Sequence, residues 1–342
     1  MNENKYFLSI CIPSYNRPEG IKRALESVDA KKYADEIQIV VCEDCAPRRL
    51  EVRKVVQDFQ AISKYAVKYV ENEVNLGHGK NWRHCAHEAE GEYLMYIGDD
   101  DMVAPNALDK FIDWLHEHSN LGYVCRAYQT LYPNGSVSDN KYYNKDRFYE
   151  PGIDGYVAFF MKSNLMTGYT IKREYTYAFE DPSVDYTLYY QMYLMGEVCL
   201  RYPSGYCNIP VGQYVGDGVS FFGTNEVEKG HFQVGKKVAE DLSYINNFWA
   251  VTSLIDKKNG INSTPRLKDE FSKFSSYPLL LREKKRGGNV ALKKCRDELV
   301  KMGCGNSRYF KLYYWALRWF GPNFCQFAIK TIRKIHGGRP DL

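Results

Sequence analysis

Long apolar runs are missing from this sequence. No window of its 342 residues holds the roughly 20 consecutive apolar residues that cross a bilayer as a helix. The N-terminus "MNENKYFLSI" lacks a basic segment followed by a long apolar stretch, so no signal peptide is predicted. Internal repeats and low-complexity segments are also missing. The sequence therefore predicts a globular protein that is neither secreted nor membrane-spanning.

The ten cysteines lack the spacing of a disulfide framework or a zinc site. They are scattered between Cys11 and Cys325, and several lie inside apolar runs. Cys42 and Cys45 have metal-like spacing, but no second pair or suitably spaced histidine accompanies them. We interpret the cysteines as reduced, mostly buried thiols, and we expect a cytosolic protein.

The net charge of +4 is unevenly distributed along the chain. Residues 281–342 contain 15 Lys and Arg against 4 Asp and Glu, so the preceding part is acidic. Within residues 307–338, basic side chains alternate with Trp, Tyr and Phe. This composition suits an amphipathic helix on an anionic membrane surface. It also suits a helical cap whose aromatic rings pack on the rest of the protein. We expect no nucleic acid partner, because no recognisable binding motif accompanies the charge.

Apolar runs alternate with segments of helical spacing through the first 132 residues. Such alternation predicts an α/β fold with a mostly parallel, Rossmann-like sheet flanked by helices. A further helix is predicted over 184–198, closed by Gly196, and the Gly-rich segment 211–223 is expected to be mobile. Helical spacing dominates from about residue 226. The first predicted strand lies in the segment 6–18, where Pro13 and Pro18 stop the apolar run and a loop follows. The other predicted strands are 36–44, 65–72, 93–97 and 122–132, and the predicted helices are 19–28, 49–62, 81–91 and 106–118.

The stretch "EYLMYIGDDDMVAP" (92–105) ends an apolar strand in three adjacent aspartates. Carboxylates at a strand tip suit a hard divalent cation, Mg²⁺ or Mn²⁺, that also binds a substrate phosphate. The alternative is a solvated turn that caps the helix beginning near Pro105. In parallel sheets, strand ends meet at one edge. Ser14–Arg17 and Glu43–Asp44 would therefore lie beside this triplet, which favours a ligand site.

These neighbouring segments suggest how a nucleotide would bind. Tyr15 is placed to stack on a base and Arg17 to meet phosphate, although packing and solvation are the alternatives. Glu43 and Asp44 suit the N–H of a uracil-type base, or else cap a turn. The glycine-containing loop 75–82 leads into a helix, so its backbone N–H groups and Lys80 suit a diphosphate.

In this order, "IPSYNRP", "VVCED" and "NLGHGKNWRHCAHEAEGEYLMYIGDDD" closely resemble the family 2 glycosyltransferases, inverting nucleotide-sugar enzymes of GT-A fold. The similarity is greatest to bacterial members that assemble capsules and O-antigens. It covers residues 6 to about 130 strongly and continues weakly to about 222. The resemblance implies a GT-A catalytic domain over 1–225, with a nucleotide-binding half (1–130) and an acceptor half (131–225). A helical region over 226–342, expected to associate with the membrane, would follow.

The resemblance also implies roles for single residues. Gly98 stands where the commonest form of the DXD motif has its first Asp, so the acidic pair is shifted by one position. The residues that match the family's motifs are Pro13, Tyr15 and Arg17 in the nucleoside pocket, Glu43 and Asp44 at the base, Asp99 near the sugar or ribose, Asp100 as the best Mn²⁺ or Mg²⁺ ligand, and Asp101 in support.

Inversion requires a carboxylate that takes the proton of the acceptor hydroxyl. In similar enzymes this base begins a helix about eleven residues before a glycine, and here that position is Asp185. The usual preceding Glu is replaced by Val184, and Glu180 and Asp181 are rivals. The alternative for Asp185 is a helix N-terminal carboxylate. Asp217 is a further candidate to approach the metal on a closing lid.

We therefore expect a metal-dependent glycosyltransferase that moves a sugar from a UDP-linked donor to a hydroxyl of a lipid-linked bacterial glycan at the inner face of the membrane. A nucleotidyltransferase is one alternative, but it should carry a Gly-rich basic loop where this chain has "SYNRP". A non-catalytic sugar- or membrane-binding protein is another, and it would tolerate loss of the acids. The sequence does not predict the sugar, the linkage or the oligomeric state.

Overall fold

The chain divides into two units. A computed structural model describes residues 4–187, 189–215, 227–228, 242 and 244–336. Contacts separate Met1–Glu228 from Lys229–Leu342. Among the residues described, none of the helices combines the length and the hydrophobicity that crossing a bilayer requires.

The first unit is built on one large, mostly parallel sheet. β2 lies between β1 and β3, and β4 pairs with the other side of β1, all in parallel. β9 is antiparallel to both β4 and β6, and β6 and β10 are parallel again. The order is β3-β2-β1-β4-β9-β6-β10-β5, with β7 on β6 and β8 on β10. The strands are β1 Tyr6–Ser14, β2 Ile37–Glu43, β3 Ala66–Glu71, β4 Gly91–Tyr96, β5 Met102–Val103, β6 Tyr123–Leu131, β7 Val137–Asn140, β8 Arg147–Tyr149, β9 Tyr169–Lys172 and β10 Ser204–Val215.

Helices connect and cover these strands. In α1, the side chains of Ile21, Ala24 and Leu25 are buried, as its helical spacing predicts. Every residue of β2 is buried, which is typical of a parallel strand covered on both faces. The helices of this unit are α1 Pro18–Glu26, α2 Arg49–Gln60, α3 His78–Glu88, α4 Leu108–Glu117, α5 Ile153–Phe159, α6 Arg173–Ala178 and α7 Tyr190–Arg201.

The helix predicted over 184–198 is divided and ends later than expected. A 3₁₀ helix covers Pro182–Thr187, and α7 then runs from Tyr190 to Arg201. Gly196 lies inside α7 and does not end it, because nearly all of this helix is buried and packing outweighs the weak helix propensity of glycine. The start of the Gly-rich segment, residues 211–215, belongs to β10 and is not a loop.

Helices make up the described part of the second unit, and two of them are broken at glycines. Gly288 and Gly321 have φ angles of 62° and 77°, a left-handed conformation that favours glycine, and Pro322 follows the second break. Leu280, Leu292 and Leu299 are fully buried. The helical segments are Tyr244–Asn259, Thr264–Phe274, Ser276–Lys301 and Arg308–His336.

Candidate active site

The carboxyl ends of β1, β2 and β4 meet at a cavity of ≈ 390 Å³. This volume lies within the range of small-molecule sites. The three strand-end segments that the sequence analysis singled out all reach it, and the opposite wall comes from the segments before β9, at the start of α7 and at the end of β10. Its lining includes Pro13, Tyr15, Arg17, Asp44, Asp99, Asp100, Asp101, Asn164, Thr167, Tyr189, Gln191, Tyr214 and Glu228.

Arg17 places a positive charge beside the turn formed by Asp99, Asp100 and Asp101, which we call the acidic turn. Its Nη1 donates to Asp99 Oδ1 at 2.6 Å and lies 3.1 Å from Asp100 Oδ2. The backbone N–H of Tyr15 donates to Asp99 Oδ2 at 2.8 Å. Burial raises the pKa of Asp99 to about 6, and the Arg17 guanidinium opposes that rise. Asp99 therefore joins the acidic turn to the loop after β1.

Asp101 joins the same turn to the opposite wall. Its carboxylate accepts a hydrogen bond from the Thr167 hydroxyl, and the Val215 N–H donates to its Oδ1 at 3.1 Å. Burial raises the pKa of Asp101 to about 7, and the Thr167 hydrogen bond opposes the rise. These two hydrogen bonds tie the acidic turn to the opposite wall, and each oxygen still has room for a second partner.

Asp100 is the member of the triplet that suits a cation. Its side chain is 25% exposed and lines the cavity. Within the described ranges, no cluster of three or more His, Cys, Asp or Glu side chains is arranged to hold a metal ion. Mg²⁺ and Mn²⁺ sites often use one or two carboxylates plus substrate phosphates. The residues present therefore fit a cation held mainly by a bound diphosphate, with Asp100 as the protein ligand.

Asp44 lines the same cavity and belongs to a buried hydrogen-bond network. Its Oδ1 accepts from Leu76 N at 2.7 Å and Asn72 Nδ2 at 2.8 Å, and its Oδ2 accepts from Gly77 N at 2.9 Å. Asn72 Nδ2 also donates to Asn81 Oδ1 at 2.9 Å. Burial raises the pKa of Asp44, and these donors oppose the rise. A carboxylate oxygen has room for two donors, so Oδ2 can accept one more N–H.

Two predicted nucleotide-binding residues lie elsewhere. Glu43 Oε1 accepts the Ala46 N–H at 2.8 Å, so this carboxylate caps the turn after β2, and it is not among the cavity residues. Lys80 is exposed and does not line the cavity. It lies on the outer side of the first turn of α3, whereas Gly79 and Asn81 on either side are buried.

Asp185, the predicted base, forms an ion pair with Arg83. Arg83 Nη1 and Nη2 donate to its two oxygens at 2.8 and 3.1 Å. Arg83 Nε also lies 3.2 Å from Glu180. Neither Asp185 nor its rivals Glu180 and Asp181 are among the residues that line the cavity. Asp217 lies outside the described residues.

The sequence analysis missed most of the opposite wall. Asn164, Thr167 and Gln191 belong to no local motif, so only the fold brings them to the cavity. Glu228 is 2% exposed, and its Oε1 accepts the His78 N–H at 2.6 Å at the start of α3. A carboxylate at a helix N-terminus is a favourable arrangement, but a separation of 150 residues gave no sequence signal.

The sheet and the acidic turn after β4 define an α/β domain of GT-A fold. Residues 9–170 match the family model described as Glycosyl transferase family 2. Over this segment, which is just under half of the chain, the protein is therefore similar to the family 2 glycosyltransferases.

Three curated relatives illustrate the similarity. The putative colanic acid biosynthesis glycosyl transferase WcaA of Escherichia coli is 29% identical over 42% of this chain and 55% of its own length. The abequosyltransferase RfbV of Salmonella typhimurium is 27% identical over 36% of each chain. An uncharacterized glycosyltransferase of Haemophilus influenzae is 26% identical over 34% of this chain and 37% of its own. The chain thus spans about a third to a half of the length of these relatives.

Solved structures of S. aureus TarS share the fold. TarS 1–349 in complex with UDP-GlcNAc has a TM-score of 0.56 at 14% identity, with 91% of both chains covered. A longer TarS structure has a TM-score of 0.54 at 14% identity, covering 91% of this chain and 55% of TarS.

Proposed function

We propose that this chain is an inverting glycosyltransferase that moves a sugar from a UDP-sugar to a hydroxyl of a lipid-linked glycan in bacterial surface polysaccharide synthesis. One observation carries the proposal: Tyr15 and Asp44 share a single cavity with Arg17 and Asp100. The cavity thus brings together groups suited to a base and groups suited to a diphosphate. The names of the WcaA and RfbV relatives support a role in polysaccharide synthesis.

The nucleotide would lie along this cavity. Tyr15 would stack on the base, and Asp44 Oδ2 would accept a uracil N–H. Arg17 would turn from the carboxylates of Asp99 and Asp100 toward the diphosphate, since a guanidinium fits phosphate oxygens well. The TarS structures with UDP and UDP-GlcNAc support a uridine nucleotide.

A divalent cation, Mn²⁺ or Mg²⁺, would stabilise the negative charge of the leaving diphosphate when bound. Asp100 is the residue of this chain that would hold it. Asp99 and Asp101 would keep the turn in place through their bonds to Tyr15 and Val215. Loss of Asp100 is therefore expected to weaken the metal dependence of UDP binding and to leave the fold intact.

Asp185 is the proposed base. The motif of the resemblance supports it, and its segment borders the cavity because Tyr189 and Gln191 line the wall a few residues later. Its partner Arg83 would hold the carboxylate in position until an acceptor hydroxyl arrives. The Asp185 carboxylate would then take the hydroxyl proton as the oxygen attacks the anomeric carbon.

The test compares Asp185→Asn with Asp181→Asn as the matched control. We expect Asp185→Asn to lower kcat by about 100-fold or more with little change in the Kd for UDP, since only the proton acceptor is removed. Asp181 bonds to Ser183 near the same segment, so its variant should retain transfer. Transfer would be measured with a panel of UDP-sugars, and UDP binding by calorimetry.

Two results would contradict the proposal. Full transfer activity in Asp185→Asn would show that Asp185 is not the base. The absence of any heat of UDP binding with Mn²⁺ or Mg²⁺ would show that the cavity is not a UDP site. Formation of a nucleotide-sugar from a nucleoside triphosphate and a sugar phosphate would instead identify a nucleotidyltransferase.

A further inference from the structure

The last helical segment carries exposed apolar side chains on both sides of its break at Gly321. Large exposed apolar surfaces on a globular protein usually mark a binding face. The exposed fractions are 62% for Leu312, 43% for Trp315, 69% for Trp319, 62% for Phe320, 56% for Phe324 and 71% for Phe327. We call these six residues the aromatic face.

The aromatic face is not the side of the helix that builds the core of this unit. Phe310, Tyr314 and Leu317 are at most 4% exposed, and Cys325 is 5% exposed. The helix therefore has two apolar sides, of which one is already covered. The spacing of Leu312, Trp315 and Trp319 places them in one stripe along the other side.

Basic side chains are exposed on the helix that carries the aromatic face and on the segment Ser276–Lys301. Lys311 and Arg318 are exposed on the same helix, and the Arg318 guanidinium lies 5.9 Å from the centre of the Trp315 ring. The neighbouring segment Ser276–Lys301 adds more exposed cations. These are Arg282, Lys285, Arg286, Lys293 and Lys294.

Charge decides between possible occupants of this face. Residues 281–342 contain 15 basic and 4 acidic residues, so two copies of the same surface would repel each other. An anionic bilayer is complementary to the aromatic face both in charge and in its apolar interior. Its surface potential attracts Lys and Arg, and its headgroup region accepts Trp and Phe rings.

We propose that the aromatic face docks on an anionic lipid bilayer, with the rings at headgroup level and Lys311 and Arg318 near lipid phosphates. This docking requires neither donor nor acceptor, so it is independent of the proposed transfer activity. For a chain that acts on a lipid-linked glycan, docking would hold the enzyme at the surface where that acceptor lies.

The experiment uses the full chain with vesicles of phosphatidylcholine containing about one third phosphatidylglycerol, and with phosphatidylcholine alone. We expect cosedimentation and a blue shift of Trp fluorescence with the anionic vesicles, both weakened by salt. The double variant Trp319→Ser/Phe327→Ser should lower the partition coefficient at least about tenfold, because two exposed rings no longer insert.

Phe274→Ser is the matched control, because Phe274 is 58% exposed on another helix of the same unit. It should bind vesicles as the unchanged protein does, and thermal unfolding would verify that each variant folds. Three results would overturn the proposal: no binding to anionic vesicles, equal binding by the double variant, or an equal loss in Phe274→Ser. Self-association that depends on Trp319, without vesicle binding, would assign the face to a second copy instead.

Discussion

At the scale of single residues, Arg17 explains why a buried strand can end in three aspartates. Its guanidinium contacts Asp99 and Asp100, while Asp101 is held by Thr167 and Val215 on the far wall. Asp99 and Asp100 therefore share one guanidinium, whereas Asp101 has partners of its own, and the mutual repulsion of the carboxylates is offset locally. The three aspartates therefore differ in their surroundings, and of the three only Asp100 has a partly exposed side chain.

Asn72 offers a test of the nucleoside end. Asn72→Ala removes the amide that donates to both Asp44 and Asn81. We expect the Kd for UDP to rise about 5- to 30-fold, the equivalent of about 1–2 kcal/mol for one lost hydrogen bond to a charged group. Calorimetry would measure it.

Asn140→Ala is the control for this prediction. Asn140 is also buried and donates to Thr130 at 2.7 Å, but it lies in the β6–β7 hairpin and does not line the cavity. It should lower stability without changing UDP affinity. An equal change in both variants would remove the special role of Asn72.

The site residues at the strand ends could be predicted from the sequence, because the carboxyl ends of parallel strands meet at one edge of a sheet. Pro13, Tyr15, Arg17 and Asp44 accordingly line one cavity. Lys80 and Glu43 do not line it, because Lys80 lies on the exposed side of α3 and the Glu43 carboxylate accepts the Ala46 N–H. Thr167 and Glu228 could not be predicted as site residues, since tertiary contacts alone bring them to the cavity.

At the scale of secondary structure elements, the close approach of α1 to the acidic turn depends on Gly20. A Cβ at this position would collide with the backbone oxygen of Asp99. Gly20→Ala should therefore lower the free energy of unfolding by about 1–3 kcal/mol, because the backbone must shift, and it should weaken UDP binding as well. Chemical denaturation and calorimetry would measure the two effects.

Gly79→Ala is the matched substitution on α3. A Cβ there would lie 3.7 Å from the Cβ of Tyr190, an ordinary contact, and alanine favours a helix by about 1 kcal/mol over glycine. This variant should be as stable as the unchanged protein or slightly more stable. If Gly20→Ala had the same free energy of unfolding as Gly79→Ala, the close packing of Gly20 against Asp99 would be contradicted.

Asp256 links two helices of the second unit in a pH-dependent way. Its carboxylate accepts four hydrogen bonds from the backbone and hydroxyl groups of Ser263 and Thr264. Burial would raise the pKa of Asp256, but these donors outweigh it and hold the pKa below 3.8. Because the folded pKa is depressed, the stabilisation is present above pH 3.8 and is lost as the pH falls through the folded value.

Asp256→Asn should remove this part of the acid sensitivity and lower stability at neutral pH by about 1 kcal/mol, a value discounted for solvent screening. Asp269→Asn is the control, because Asp269 is exposed on the next helix. Unfolding curves at several pH values would measure both. An unchanged pH profile in Asp256→Asn would contradict the assignment.

The periodic elements of the first unit were predictable because strongly apolar strands and amphipathic helices have distinct periods. The strand predicted at 36–44 is β2, Ile37–Glu43, and the helix predicted at 49–62 is α2, Arg49–Gln60. The elements after residue 132 were harder to predict from the sequence. Short strands such as β9 are defined by their partners, and burial carries α7 through Gly196.

At the scale of the whole molecule, the thiols give a simple measure of the fold. All ten cysteines are free, and nine are buried, whereas Cys45 is partly exposed. Ellman's reagent should therefore react rapidly with one thiol of the native protein and with the others only after denaturation. Cys45→Ser should abolish the rapid phase. Two or more rapid thiols would mean that the buried set is more open than described.

The position of β9 has a consequence for how the protein is made. This strand, Tyr169–Lys172, joins β4 to β6 and so links the two halves of the sheet. During translation, the ribosome releases β1 to β4 and β6 before the segment that must fit between them. Until residue 172 has left the exit tunnel, the inner edges of β4 and β6 have no partner. Any sheet structure that forms before this point has two unpaired edges, and unpaired edges of this kind favour association with other chains.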